Sequence, residues 1–127
     1  MDIVYAAQEE RSDTEILSEL LEKDPDLAGI ICTDLQTTEM VINYAKGLDE
    51  VNFKIVGFDT SEKIISEIGK LLVGTMAQDP YSIGYATVIA AARSVLDMGN
   101  APYIQTEHLW IDGENLLGEE AQSYLNY

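Results

Sequence analysis

Asp34, Asp59 and Gln78 each follow a short apolar segment of the sequence, and their side chains suit hydrogen bonding rather than bond making. Carboxylates accept hydrogen bonds from hydroxyl groups, and the charge makes such bonds about twice as strong as neutral ones. An amide can donate and accept at one position. The set favours recognition of a neutral polyhydroxyl ligand. Composition alone leaves a second interpretation open, in which Asp59 caps a helix at Ser61, Asp34 is solvated in a loop and Gln78 bonds a turn.

The sequence lacks the patterns that bind phosphates, hold metals or form covalent intermediates. GxGxxG and GxxxxGK[ST] are absent, which argues against dinucleotides and nucleoside triphosphates. The single cysteine, Cys32, and the single histidine, His108, leave no CxxC or HExxH zinc site. We therefore expect no enzymatic activity, no cofactor and no metal. Cys32 is expected to be a small core residue, and His108 a surface or packing position.

The composition indicates one acidic domain spanning residues 1–127. Seven basic residues against 23 acidic ones give a net charge of −16, and 46% of the residues are hydrophobic. This length suits a single domain, and no apolar run approaches the roughly 18 residues of a membrane span. Because the negative charge repels phosphate backbones, we expect no binding to nucleic acid.

Apolar segments alternate with amphipathic segments five times, which predicts strands alternating with helices. Such alternation favours parallel pairing through right-handed crossovers, with helices on both faces of the sheet. The predicted fold is α/β, a doubly wound five-stranded parallel sheet of flavodoxin-like order in a single lobe. The strands are predicted at residues 3–7, 27–32, 53–58, 73–77 and 105–111.

The helix starts carry capping signals. Ser12 and Glu15 have the spacing of a capping box. Asp79 and Pro80 are placed as the N-cap and first residue of the longest helix. Its apolar residues recur at alternating spacings of four and three, which predicts a buried stripe: Tyr81, Tyr85, Val88, Ala92 and Val95.

In sheets of this kind, ligands bind outside the carboxyl ends of the strands. The loops after the first four predicted strands should therefore bring Asp34, Asp59 and Gln78 to one edge. Further candidate contacts are Gln8 and Thr33, although Thr33 is more readily explained as a cap of the second helix. Tyr81 could stack on a ligand, but its place in the apolar stripe favours the core, as the last strand does for Trp110.

Three segments, in this order, resemble one protein family: GIICTD at 29–34, VGFDT at 56–60 and GTMAQDPYSIGY at 74–85. Together they resemble the C-terminal lobe of ribose-type periplasmic sugar-binding proteins, the type I substrate-binding components of sugar ABC transporters. The similarity runs from about residue 2 to the end of the chain. The resemblance implies that Asp34, Asp59 and Gln78 contact a sugar.

The sequence also departs from this family. Asn-Asp often stands where this chain has Asp34-Leu35, and an aromatic residue often stands in the first loop, here residues 8–11. Family members clamp the ligand between two lobes, so the resemblance implies a fragment lacking the N-terminal lobe and the first helix of this lobe. Implied partners are a sugar, the missing lobe, a membrane permease and a second copy on the uncovered sheet face. The implied location is extracytoplasmic, although the chain shows no signal peptide.

Three alternatives remain from the sequence. LacI-type repressors share this fold in their effector domains, although the chain has no basic DNA-binding headpiece, and a sensor input domain would look similar. A receiver domain of a two-component system has the same alternation. Glu9-Glu10 and Asp59 fit its acidic positions, but Ile111-Asp112-Gly113 lacks the lysine it needs.

Overall fold

The computed structural model describes residues 3–5 and 11–125. In this part of the chain, helices and strands alternate as the sequence predicts, and the α/β class is confirmed. The elements are α1 (Asp13–Lys23), β1 (Gly29–Ile31), α2 (Leu35–Lys46), β2 (Lys54–Phe58), α3 (Glu62–Glu67), β3 (Leu72–Gln78), α4 (Pro80–Val95), β4 (His108–Asp112) and α5 (Glu119–Leu125).

The sheet has four strands in the order β1-β2-β3-β4. β1 pairs parallel with β2, and β2 pairs parallel with β3. β4 pairs antiparallel with β3, so that His108 lies opposite Gln78 and Asp112 lies opposite Gly74. The prediction of five parallel strands in flavodoxin-like order is therefore corrected. Among the described residues the sheet has four strands, β1 pairs directly with β2, and the last strand runs in reverse.

The first predicted strand, residues 3–7, is not found where the structure describes it. Residues 3–5 form no strand, and Ile3 and Tyr5 are 72% and 71% exposed. Residues 6–7 lie outside the described residues. An apolar segment becomes a strand only when a neighbouring strand takes up its backbone hydrogen bonds, which the alternation of apolar residues alone does not specify.

The core lies on one face of the sheet, beneath α2, α3 and α5. Its largest side chains are essentially inaccessible: Ile42, Ile55, Ile64, Leu72 and Ile111. α2 and α3 pack over β2 and β3, and Ala121 of α5 packs near Ile111. The predicted capping box of α1 is confirmed, because the Ser12 backbone N–H donates to Glu15 Oε2 at 2.8 Å and the Glu15 N–H donates to Ser12 Oγ at 3.3 Å.

α4 begins as predicted but does not pack as predicted. Asp79 is its N-cap, accepting from the Ser82 N–H at 3.0 Å, and Pro80 is its first residue. However, no residue of α4 is buried. The prediction of a buried stripe is therefore wrong, and so is the core position predicted for Tyr81, which is 70% exposed. Helical spacing creates an apolar face, but only a second surface can bury it.

Of the two other core predictions, the one for Cys32 is confirmed, whereas Trp110 is not among the buried core residues. Trp110 is half-buried and packs against Gly74, where an added Cβ would lie 2.5 Å from the indole, and its Nε1–H donates to Asp112 at 2.9 Å. Cys32 is 4% exposed, and burial raises the pKa of its thiol to about 11, which suits a core residue. Among the described residues, no helix combines the length and apolarity needed to cross a membrane.

Candidate ligand-binding site

The candidate site is the edge of the sheet where β1, β2 and β3 end and β4 begins, here called the binding edge. Asp34 lies three residues beyond β1, Asp59 directly follows β2, and Gln78 is the last residue of β3. Because these three strands are parallel neighbours, about 4.8 Å apart, their ends lie side by side. The structure therefore brings Asp34, Asp59 and Gln78 to one edge of the molecule.

Asp59 occupies a strained backbone conformation, with φ at +64°. A non-glycine residue in this region typically costs about 1–3 kcal/mol, and such strain clusters at functional sites. Two hydrogen bonds hold it: its N–H donates to Met76 O at 2.9 Å, and its carbonyl accepts from Thr75 Oγ1 at 2.7 Å. Among the described residues its carboxylate makes no hydrogen bond. Ser61, not Asp59, caps α3 through Ile64.

Asp34 is partly used by the fold itself. Its Oδ1 accepts from the Thr37 N–H at 2.8 Å, which makes Asp34 the N-cap of α2. The cap predicted at Thr33 is therefore wrong, and α2 begins at Leu35. Thr33 is exposed at the binding edge. Asp34 is exposed as well, and its second carboxylate oxygen has no hydrogen-bond partner among the described residues.

Gln78 has an unexpected neighbour. It is half-buried at the end of β3 and lies directly opposite His108, the exposed first residue of β4. A parallel last strand would have placed His108 at the opposite edge of the sheet, and His108 was therefore not among the predicted site residues. Nothing in the pattern of residues 105–111 signals the direction of the strand. By register, His108 is a further candidate for the binding edge.

Tyr81 stands in the first turn of α4, three residues beyond Gln78, and its exposure leaves the ring accessible. Hydrogen bonds from the side chain and the backbone of Ser82 together lower the pKa of Asp79. This carboxylate therefore serves to cap the start of α4. The sequence candidate Gln8 lies outside the described residues.

The binding edge is open. The surface depressions found along α1 are lined by residues such as Tyr5, Arg11 and Glu19, and they include neither Asp34, Asp59 nor Gln78. Within residues 3–5 and 11–125, no group of three His, Cys, Asp or Glu side chains converges as a metal site would require. The arrangement can therefore present hydrogen-bonding groups to a ligand.

Comparison with known proteins gives a structural answer and no sequence match. No protein-family model matches the chain, and no curated protein matches it by sequence. Among solved structures, a solute-binding protein of an ABC transporter from Agrobacterium vitis, bound to α-D-tagatopyranose, has a TM-score of 0.77 at 23% identity over 89% of this chain and 39% of its own. GanP, a glucose-galactose binding protein from Geobacillus stearothermophilus, has a TM-score of 0.71 at 26% identity over 83% of this chain and 38% of its own.

A third similar structure, from Brachyspira murdochii, is described as an ABC transporter, LacI family transcriptional regulator. Its TM-score is 0.66 at 18% identity, over 90% of this chain and 40% of its own. The resemblance seen in three sequence segments is thus confirmed at the level of fold: the chain has the type I periplasmic binding fold of sugar ABC transporter solute-binding proteins. It spans about 40% of the length of these relatives.

Proposed function

We propose that the binding edge recognises a sugar without transforming it, as one half of a two-lobed binding protein for ABC-type import. The observation that carries this proposal is the convergence of Asp34, Asp59 and Gln78 at the ends of three neighbouring strands. Asp59 adds weight, because its carboxylate makes no hydrogen bond within residues 3–5 and 11–125 although its backbone is held in a strained conformation. Sugar hydroxyls are the donors that such carboxylates bind well.

The similar solved structures support a sugar as the ligand. The protein from Agrobacterium vitis was solved with α-D-tagatopyranose, and GanP is described as a glucose-galactose binding protein. Both are described as binding proteins, which supports recognition of a sugar. By the same resemblance, the complete protein would work outside the cytoplasm and deliver its ligand to a membrane permease.

A second lobe would complete the site. The similar solved structures are more than twice as long as this chain, so most of their length lies outside the part that it matches. α4 supports the same conclusion, since it starts at the binding edge and leaves Tyr85 and Val88 63% and 66% exposed. We propose that this face packs against the second lobe. The homodimer on the uncovered sheet face, where Ile31 is 74% exposed, stays a prediction.

A regulator is the second candidate function. The structure from Brachyspira murdochii supports it, because a LacI-type effector domain would use the same edge to sense a ligand. We do not propose a receiver domain, since the antiparallel β4 departs from the parallel sheet on which that interpretation depends.

Sugar binding can be tested on this chain by nitrogen-15 NMR titration with D-tagatose, D-arabinose, D-galactose and D-glucose. We expect saturable shifts confined to amides around Asp34, Asp59 and Gln78, with millimolar affinity because one side of the ligand stays in water. Asp59→Asn keeps the side-chain shape and tolerates the left-handed backbone. It should weaken binding about tenfold, the loss expected for a charge-assisted hydrogen bond.

Asp97→Asn is the matched control, because Asp97 is the other described non-glycine residue with positive φ, at +55°, and lies beyond the far end of α4. It should leave sugar affinity unchanged. The proposal fails if no sugar shifts the binding edge, or if Asp59→Asn binds like the parent chain. Micromolar binding by the chain alone would contradict the half-site.

A further inference from the structure

Two threonine hydroxyls are buried directly beneath the binding edge. Thr38 and Thr75 are both 0% exposed, in a core whose other buried members are apolar apart from Glu67. A buried hydroxyl that lacks a partner is costly, and valine has nearly the same shape without that cost. Packing alone therefore does not explain a threonine at either position. The explanation must lie in the hydrogen bonds that the two hydroxyls make.

Thr38 joins two loops of the binding edge. Its Oγ1 accepts from the Phe58 N–H at 3.0 Å and lies 2.7 Å from Asp34 O and 3.1 Å from Phe58 O. A hydroxyl has one proton to donate, and the shorter contact assigns it to Asp34 O. The start of α2, which carries Asp34, is thereby fixed to the end of β2, which carries Asp59.

Thr75 joins the second loop to the third strand. Its Oγ1 donates to Asp59 O at 2.7 Å, while the Asp59 N–H donates to Met76 O at 2.9 Å. These two bonds fix both backbone polar groups of Asp59, the residue whose φ is +64°. Gln78 lies three residues further along the same strand, so the bond fixes Asp59 relative to Gln78.

The two threonines meet above Gly57. A Cβ added there would lie 3.0 Å from Thr38 Cγ2, 3.0 Å from Thr75 Oγ1 and 2.9 Å from Leu72 Cδ2. Glycine is the one residue that leaves room for both side chains. The two side chains therefore pack together over Gly57, and their hydroxyls bond separately to the backbone of Asp34, Phe58 and Asp59.

We infer that Thr38 and Thr75 are positioning residues, whose hydroxyls hold the carboxylates of Asp34 and Asp59 in a fixed arrangement with Gln78. Neither threonine can touch a ligand, because both are fully buried. They act through the backbone of the residues that do. The expected effect of the two hydroxyls on sugar affinity rests on the proposed function. Their expected effect on the backbone of Asp59 does not depend on it.

The test compares Thr75→Val, which removes the hydroxyl, with Thr75→Ser, which keeps it. In Thr75→Val we expect the Asp59 amide signal to move, its HN–Hα coupling to change and its amide exchange to accelerate about tenfold, as for the loss of one hydrogen bond. Sugar affinity should fall by a similar factor. Thr75→Ser should restore both, and Thr38→Val should loosen the Phe58 amide in the same way.

Ile42→Val is the control for general destabilisation, since Ile42 is buried in α2 and makes no hydrogen bond to the binding edge. It should lower stability without altering the Asp59 signals. The inference is overturned if Thr75→Val leaves the Asp59 backbone unchanged, or if Thr75→Ser loses as much as Thr75→Val. If the parent chain binds no sugar, the proposed function fails, and the coupling and exchange of Asp59 still decide the positioning role.

Discussion

The binding edge and α4 adjoin each other at Asp79, yet they are stabilised in opposite ways. At the binding edge, side chains from α2, β2 and β3 meet in a buried hydrogen-bonded assembly around Gly57. α4 has a well-formed N-cap and a full set of helical turns, but none of its residues is buried. The difference separates what a helix can form locally, its caps and backbone hydrogen bonds, from what only a second surface supplies.

Charge separates the two regions as well. The chain carries 23 acidic residues, but residues 80–96 contain none, and Arg93 is their one charged residue. Arg93 Nε donates to Gly99 O at 3.0 Å, so even this charge is used within its own segment. Another protein surface can approach α4 without the like-charge repulsion that the rest of this acidic chain presents. This supports the proposal that α4 faces a second lobe.

The largest expected effect comes from the same substitution made in the two regions. Ile42→Ala removes a side chain that is 0% exposed and should lower the free energy of unfolding by about 2–5 kcal/mol. Ile89→Ala in α4 removes a side chain that is 43% exposed and should cost less than about 1 kcal/mol. Urea denaturation followed by circular dichroism measures both. Equal losses would mean that α4 is packed in solution.

α4 also shows where sequence reasoning stops. Its N-cap at Asp79 and its apolar spacing were predictable, because both depend on residues within one or two turns. The exposure of Tyr85 and Val88 was not, since periodicity identifies an apolar face but not the surface that packs on it. The direction of β4 was missed for the same reason: a strand can pair in either direction, and the choice depends on where the 29 residues between β3 and β4 lead the chain. That choice moved His108 to the binding edge.

Adding one methyl group should have smaller effects, which are opposite in sign in the two regions. Gly57→Ala forces the new Cβ against Thr38, Thr75 and Leu72 and should destabilise the fold by about 1–3 kcal/mol. Gly84→Ala lies within α4, where nothing stands within 4 Å of the added Cβ, and should stabilise the helix by about 0.5–1 kcal/mol. Thermal unfolding monitored by circular dichroism reports both signs. A neutral Gly57→Ala would contradict the tight assembly beneath the binding edge.

At the binding edge, the sequence predicted where the site residues lie better than it predicted their local structural roles. Asp34, Asp59 and Gln78 were expected at one edge because parallel strands end together, and that much follows from topology. The cap formed by Asp34 and the left-handed backbone of Asp59 depend on φ and ψ at single residues, which the strand-and-helix pattern does not specify. Thr38 and Thr75 looked like ordinary polar residues, because only the assembled sheet brings them together over Gly57.

The smallest expected effect concerns charge and depends on pH. Glu67 of α3 is 8% exposed, and its Oε1 lies 2.7 Å from Lys46 Nζ at the end of α2. The hydrogen bond and charge of Lys46 hold the pKa of Glu67 below its ordinary value of 4.5. The unfolded chain therefore binds a proton at a higher pH than the folded one. The pair stabilises the fold above the ordinary glutamate pKa, and this contribution is lost as the pH falls through the lowered pKa.

Glu67→Gln should accordingly reduce stability at neutral pH by at most about 1 kcal/mol, because Lys46 is half exposed and solvent screens the pair. The difference from the parent chain should vanish in acid, where the parent glutamate is also neutral. Urea midpoints measured across this pH range test the sign. Arg93→Gln in α4 is the matched control and should show no such pH dependence, since its hydrogen bonds go to carbonyl groups that do not titrate. If the loss of stability in Glu67→Gln persisted unchanged in acid, it would have to come from altered packing of α2 and α3 rather than from the loss of this ion pair.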